Sequence, residues 1–450
     1  MNNFLANFPN RQNLNQEMSS LQILQTKLSH NTLTEFELGV EEAHFRSKRD
    51  VQAFLKIIRE QHLPITSLDK HSCLQSIRIG YRLPRFALWP ILQEALPMLL
   101  QNATRVHHLQ LFLDCWVPEH TMKGLVSLHT LKILDLRATR IRSLHRIDPR
   151  HCPDSSSNEI LLIEDNILTI VPLISLTVET LKLIDCNFLP KHLKELCAML
   201  RKRKRLPDCR LKHLSLRHNR YLEGNWEELF SLSFLETMDL SICDLSETDG
   251  FSIAKVLKNN RTCKQLSLAG NYRMAHSIPK VVQVASTTLV ELDISFCGVQ
   301  NEDLQQVFDI LATSPNCTIR SLRMQGSRIR DKDPLVRCLR QNKSLMSMIL
   351  NNPRERFPVE SHDLEEILDS VKCNYYLQTF KVDVMASDRA RLEGIEFWLN
   401  LNRCGRCILL QSNSDDKYIF KSWSMVLQRA ATLKDTNIMF WLLKHGAWNF

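Results

Sequence analysis

The chain has 450 residues, of which 44% are hydrophobic, enough for a continuous core, and its 11 Gly and 16 Pro argue against long disordered stretches. Its 58 Lys and Arg exceed its 49 Asp and Glu by a formal charge of only +9, too small an excess for bulk charge to mark a nucleic-acid binder. The longest apolar runs are too short to cross a bilayer, and the segment from Met1 to Pro9 has neither the basic start nor the apolar stretch of a secretory signal. The expected location is therefore intracellular: cytoplasmic, with a nuclear pool as the alternative.

In chain order, the first expected element is a helix over Met18–Leu28 that covers the first strand of the chain. A unit of the form LxxLxLxx(N/C)xL then recurs. Its starts fall at Leu33, Leu74, Val106, Leu131, Asn158, Val178, Leu211, Leu235, Cys263, Leu289, Ile319, Leu345 and Leu377, about 13 units with a mean spacing of about 29 residues. The three apolar positions alternate inward along a short strand, and the Asn or Cys turns the chain while its polar atom satisfies a backbone group. Asn166, Cys186, Asn219, Cys243, Asn271 and Cys297 occupy that turn position.

Between strands the apolar spacing changes to three and four. Leu193, Leu196, Cys197 and Leu200 share one helical face, and Leu304, Val307, Phe308 and Leu311 share another, so each unit is a strand followed by a helix. The basic run Arg201, Lys202, Arg203, Lys204, Arg205 follows the first of these helices. It reads as a nuclear-import signal or phosphate-binding patch, or as the exposed end of a helix where cations complement the dipole.

Beyond the repeats, Ile419, Trp423, Val426 and Ala430 form one helical stripe, and Ile438, Trp441, Leu442 and His445 begin another that Gly446 ends. An open stack of repeats needs a cover for its last apolar surface, and these helices are expected to supply it. The expected organisation is residues 1–32 as an N-terminal segment and helical cap, 33–390 as the repeat domain, and 391–450 as a C-terminal helical capping module.

Units near 29 residues, alternating Asn and Cys at the turn, and a helix in each unit resemble the ribonuclease-inhibitor-like class of leucine-rich repeats. The likeness covers about Leu33 to Val384 and is strongest from Leu211 to Ile329. The resemblance implies an α/β leucine-rich repeat solenoid, a right-handed βα horseshoe with a parallel concave sheet, convex helices and helical caps. It also implies a binding role as receptor, inhibitor, scaffold or adaptor. The segment Ile395 to Arg406, with Asn402-Arg403-Cys404-Gly405-Arg406 and the helices after it, resembles a tail in uncharacterised proteins of diatoms and related algae.

The residue between the second and third apolar positions of each unit should line the concave face. In order these are Glu37, Arg78, Gln110, Asp135, Leu162, Lys182, Ser215, Asp239, Ser267, Asp293, Arg323, Ile349 and Lys381. Asp239, Ser241, Ser267, Asp293 and Ser295 form one coherent patch, with Arg323 beside it, and are the candidate contacts for a protein partner with a basic segment. Phosphate-loop, GxSxG and HExxH motifs are absent, so no catalytic residue is assigned and no cofactor is expected. Cys404 and Cys407 form a single CxxC, half of what a structural zinc site needs, and no metal is assigned to it.

The expected function is a non-catalytic protein-interaction scaffold or receptor with no membrane partner. The alternatives are a nucleic-acid-associated or nuclear adaptor using residues 201–205, and a regulator of a small GTPase.

Overall fold

The computed structural model describes residues 35–38, 48–62, 75–79, 91–96, 99, 105–113, 130–138, 176–186, 188, 190–206, 208–220, 222, 224, 226–327, 329–351, 359–411, 416–434 and 436–446. The expected helix at Met18–Leu28, the unit starts at Leu33, Leu74 and Asn158, and Asn166 and Leu162 lie outside this set. The chain divides into two compact units, Met1–Cys243 and Asp244–Phe450.

In the first unit, the strands β1 (Glu35–Leu38), β2 (Ser76–Ile79), β3 (His108–Leu113), β4 (Ile133–Ala138), β5 (Thr180–Ile184), β6 (His213–Ser215) and β7 (Thr237–Asp239) pair in parallel in chain order. Between them lie α1 (Lys48–His62), a π-helical turn (Ile91–Ala95), α2 (Pro190–Lys204) and α3 (Trp226–Phe230). β4 pairs directly with β5, Ile133 opposite Thr180, so the rung expected from Asn158 does not come between them. The physical reason is visible in the sequence: that unit places Asn where every other start places an apolar residue, and burying an amide there costs free energy unless it finds partners.

The second unit repeats the arrangement with β8 (Gln265–Ser267), β9 (Glu291–Asp293), β10 (Ser321–Arg323), β11 (Ser347–Ile349) and β12 (Thr379–Lys381), again parallel and in chain order. The helices that follow these strands are α5 (Ile278–Ala285), α6 (Asn301–Thr313), α7 (Asp333–Gln341) and α8 (Ser361–Cys373), and α4 (Glu247–Leu257) precedes β8. Both units are thus built of leucine-rich repeat strand-and-helix turns, an α/β solenoid.

The repeat letters account for the core. Leu235, Met238, Leu240 and Cys243 are all buried, as are their counterparts Leu289, Leu292, Ile294 and Cys297. Asn219 donates through Nδ2 to the carbonyls of Leu183 (2.9 Å) and Leu216 (2.6 Å), while its Oδ1 accepts from Phe188 N (3.3 Å). In place of the amide, Cys243 donates its thiol to Leu216 O (3.3 Å) and Cys297 to Leu268 O (3.2 Å). The residue just before the Asn or Cys adopts positive φ in each case: Asp185 (55°), His218 (69°), Ile242 (57°), Gly270 (78°) and Phe296 (57°).

Local sequence also sets the helices. Ser246 and Asp249 form a capping box at the start of α4, Asp249 N donating to Ser246 Oγ (3.3 Å) and Ser246 N to Asp249 Oδ2 (2.9 Å). Within α4, a Cβ at position 250 would stand 1.9 Å from Ser277 Oγ, so the close approach of the next turn requires Gly250.

A second line of buried amides runs along the helix ends of this unit. Asn342 Oδ1 accepts from Ser344 N (2.9 Å) and Leu345 N (2.8 Å), and its Nδ2 donates to Leu311 O (2.7 Å). Asn374 does the same with Tyr376 N and Leu377 N (both 2.8 Å) and donates to Leu339 O (2.6 Å). Asn402, near the end of α9 (Arg389–Cys404), donates to Asn374 O (2.8 Å) and Leu377 O (2.7 Å), so α9 stands where the helix of one more repeat would.

No strand follows α9 among the described residues: Gly405, at φ 99°, turns the chain into α10 (Arg406–Gln411), then α11 (Asp416–Leu433) and α12 (Thr436–Gly446). Leu401, Cys404, Val426, Ala430, Ile438 and Leu442 form their common core, with Trp398, Trp423 and Trp441 packed against it.

Candidate functional site

The row of side chains expected on the open face of the sheet is found in register. In the first unit the pairing aligns Glu37, Arg78, Gln110, Asp135, Lys182, Ser215 and Asp239. In the second it aligns Ser267, Asp293, Arg323, Ile349 and Lys381. The candidate residues therefore divide, Asp239 and Ser241 lying in one unit and Ser267, Asp293, Ser295 and Arg323 in the other.

Asp239 is heavily engaged. Its Oδ2 accepts from Ser215 Oγ (2.8 Å), and its Oδ1 accepts from Ser241 N (3.0 Å) and Ser241 Oγ (2.5 Å). Three donors satisfy this carboxylate from within the fold, leaving less of it for a partner. Asp293 closes the same turn, its Oδ1 accepting from Ser295 N (3.0 Å), but Ser295 Oγ accepts from Gln325 N on the far side (3.1 Å). Arg323, opposite Asp293 on the next strand, is exposed, and Ser295 is buried. Among the described residues neither Asp239 nor Asp293 has a cation within ion-pair distance.

At two other places on the open face charged groups are paired. Arg78 bonds Glu37 through Nη1 and Gln110 through Nε (3.1 Å to the latter). Asp135, 1% exposed, receives both Nε (3.0 Å) and Nη2 (2.8 Å) of Arg137, and that bond holds the guanidinium pKa above its ordinary value. His108, beside them, is pushed below the usual imidazole range by burial, with Lys182, Arg78 and Arg137 adding to the effect and Asp135 opposing it.

The basic run is the last turn of α2 and the residue after it. Arg201, Lys202, Lys204 and Arg205 are exposed, Arg201 donating to Ser231 Oγ (3.2 Å) and Lys204 lying over the Phe234 ring. Arg203 departs from the expected patch: it is 8% exposed, and burial lowers its pKa. On a helix of 3.6 residues per turn, five consecutive residues cannot all face solvent.

The buried thiols Cys197, Cys243 and Cys297 are each pushed up to about 12 by desolvation, which makes them poor nucleophiles, and no disulfide joins the described cysteines. Cys404 is buried in the core of the C-terminal helices and Cys407 is partly exposed. Among the described residues no group of three His, Cys, Asp or Glu could hold a metal ion, and no helix is long and apolar enough to cross a membrane.

Sequence reasoning missed two features. The Asp135–Arg137 pair was legible as opposite charges two apart on one strand face. The helix-end amides were legible as Asn three residues before a repeat start, at Asn260 before Cys263, Asn342 before Leu345 and Asn374 before Leu377.

No protein-family model matches the chain, and no curated protein matches it. Among solved structures, it is similar to the leucine-rich repeat-containing protein LegL7 from Legionella pneumophila, at 13% identity over 75% of this chain and 96% of that one, with a TM-score of 0.47. It is similar to the Rad7 and Elc1 complex in yeast at 16% identity, 76% of each chain and a TM-score of 0.38. The TLR13–ssRNA13 complex aligns at 16% identity over 70% of this chain and 40% of that one, with a TM-score of 0.37. At these scores the likenesses carry no functional argument.

Proposed function

We propose that the chain is a non-catalytic intracellular scaffold or receptor that binds a protein partner on the open faces of its repeat ladders. The observation that carries this reading is the in-register row of polar and charged side chains, fixed on short parallel strands with buried leucines behind them. Such a row presents a rigid surface whose ordering cost on binding is already met by the fold.

In this reading residues 391–450 act as the C-terminal cap, because Asn402 continues the helix-end bonding of the repeats and the helices after it share a separate core. Asp293 and Arg323 are the contacts favoured in the second unit, Ser295 being buried and bonded to the Gln325 amide. Asp239 and Ser241 chiefly hold their own turn.

The test is affinity purification of tagged full-length protein at physiological salt, in nuclease-treated and untreated halves, each repeated with Asp293→Arg. A stoichiometric protein that survives nuclease and is lost with Asp293→Arg supports the reading. Loss of all partners on nuclease treatment overturns it in favour of nucleic-acid-associated work through Arg201, Lys202, Lys204 and Arg205, whose exposure keeps that second reading in play.

A further inference from the structure

Among the described residues of the first unit, three cations gather on the open face over β4–β6. Pairing sets Asp135 opposite Lys182, Lys182 opposite Ser215 and Arg137 opposite Ile184, and Arg217 lies two residues beyond Ser215. Three cations, Arg137, Lys182 and Arg217, thus come from three successive strands, a strip about 10 Å wide at about 4.8 Å per strand. On one side of the strip the charge of Arg78 is matched by Glu37, and on the other Asp239 is satisfied by Ser215 and Ser241. Among the described residues, Lys182 and Arg217 have no carboxylate within ion-pair distance.

One of the three is pre-positioned. Asp135 is almost wholly buried and takes two N–H groups of Arg137, whose side chain is 39% exposed, so the guanidinium is held in place with N–H groups to spare. Asp135 sits behind the surface and offsets much of the charge of Arg137, so Arg137 contributes directed N–H groups while Lys182 and Arg217 contribute the excess positive charge. Burial is the main cause of the depressed pKa of His108, and Lys182, Arg78 and Arg137 add to it.

We infer that the strip over β4–β6 is a docking site for an acidic, extended peptide segment of a protein partner. Carboxylates three residues apart on an extended, polyproline II-like segment share one face and lie about 9 Å apart, close to the distance from β4 to β6. Ile184, between the cations, offers an apolar contact. The inference rests on the proposal that the open faces bind protein, and it names the chemistry that the first unit would recognise.

The experiment is fluorescence anisotropy of a short labelled oligo-glutamate peptide with the full-length chain, at low and physiological salt. Saturable binding that weakens with salt is expected, and Arg137→Ala with Lys182→Ala and Arg217→Ala should weaken it about ten-fold or more. A control set on the helix end, Lys202→Ala with Lys204→Ala and Arg205→Ala, should leave it unchanged. Because Arg137→Ala strands a buried carboxylate, Lys182→Ala with Arg217→Ala serves as the milder variant, with a loss of about three-fold or more expected.

Absence of saturable binding, equal loss in the helix-end control, or displacement of the peptide by a lower concentration of single-stranded RNA overturns the inference. If the peptide fails while a protein partner is still captured and lost with Asp293→Arg, only this strip is wrong. Failure of both removes the open-face reading itself.

Discussion

Two nearly identical pentapeptides, one in each unit, show how far a repeat position determines what a residue does. Asp239-Leu240-Ser241-Ile242-Cys243 and Asp293-Ile294-Ser295-Phe296-Cys297 share their backbone: each Asp accepts from the Ser amide at 3.0 Å, and each residue before the Cys has φ 57°. Each Cys thiol also donates to a leucine carbonyl of the preceding repeat. The difference comes from the neighbouring strands. Each Asp has a serine opposite it on the preceding strand, Ser215 for Asp239 and Ser267 for Asp293; Ser215 Oγ bonds Asp239, whereas in the second turn Ser295 accepts from the Gln325 amide and Phe296 lies over Gly326. The repeat sets the turn and places a serine beside each carboxylate, and the partner that serine takes decides how fully the carboxylate is occupied.

The largest effect should come from Gly326→Ala. At φ 81°, with the Phe296 ring 2.6 Å from where the new Cβ would sit, the substitution combines left-handed strain with overpacking, and about 3 kcal/mol of stability should be lost in urea denaturation of the full chain. A loss below about 1 kcal/mol would mean that the ring moves aside freely.

Asp239→Ala and Asp293→Ala test the comparison directly. The first strands three donors and should cost about 2 kcal/mol, and the second strands one amide and should cost about 1 kcal/mol. Equal losses would show that the bond from Ser215 adds nothing.

Much of this was legible in the sequence because the repeat encodes it. Period-two alternation gave the open-face row for the described residues, Leu162 lying outside them, and the Asn or Cys position gave the turn at Cys186, Asn219, Cys243, Asn271 and Cys297. Occupancy was not legible: whether Asp239 is free depends on Ser215, 24 residues away, meeting it across the ladder. The burial of Arg203 within a basic run was hidden because a charge count carries no helical phase. The positive φ of Ile242 and Phe296 was hidden too, since only Gly270 and Gly326 at the matching positions hint that the turn calls for glycine.

Alkali should affect the two turns alike. Burial raises the Cys243 and Cys297 thiols from an ordinary 9.0 to about 12, so the fold favours the protonated form. The unfolded chain releases these protons first, and the stability present below pH 9.0 is lost as pH rises toward 12. The urea midpoint should fall steadily above about pH 9, and Cys243→Ala with Cys297→Ala should flatten that fall. An unchanged slope in the double variant would assign the alkaline loss to other groups.

The smallest expected effect has the opposite sign. Ile242 is β-branched and sits at φ 57°, where an L side chain crowds the following carbonyl by roughly 1–2 kcal/mol, while Asn tolerates that region. Ile242 is only half-buried, so Ile242→Asn gives up little apolar burial and should stabilise the chain by about 0.5 kcal/mol. Phe296→Asn relieves the same strain but uncovers Gly326 and removes a larger ring, so it should destabilise. Opposite signs for one substitution at two equivalent positions would show that backbone strain is common to the turns while packing belongs to each rung. A loss of stability in both variants would mean that strain at this turn is too small to matter against burial.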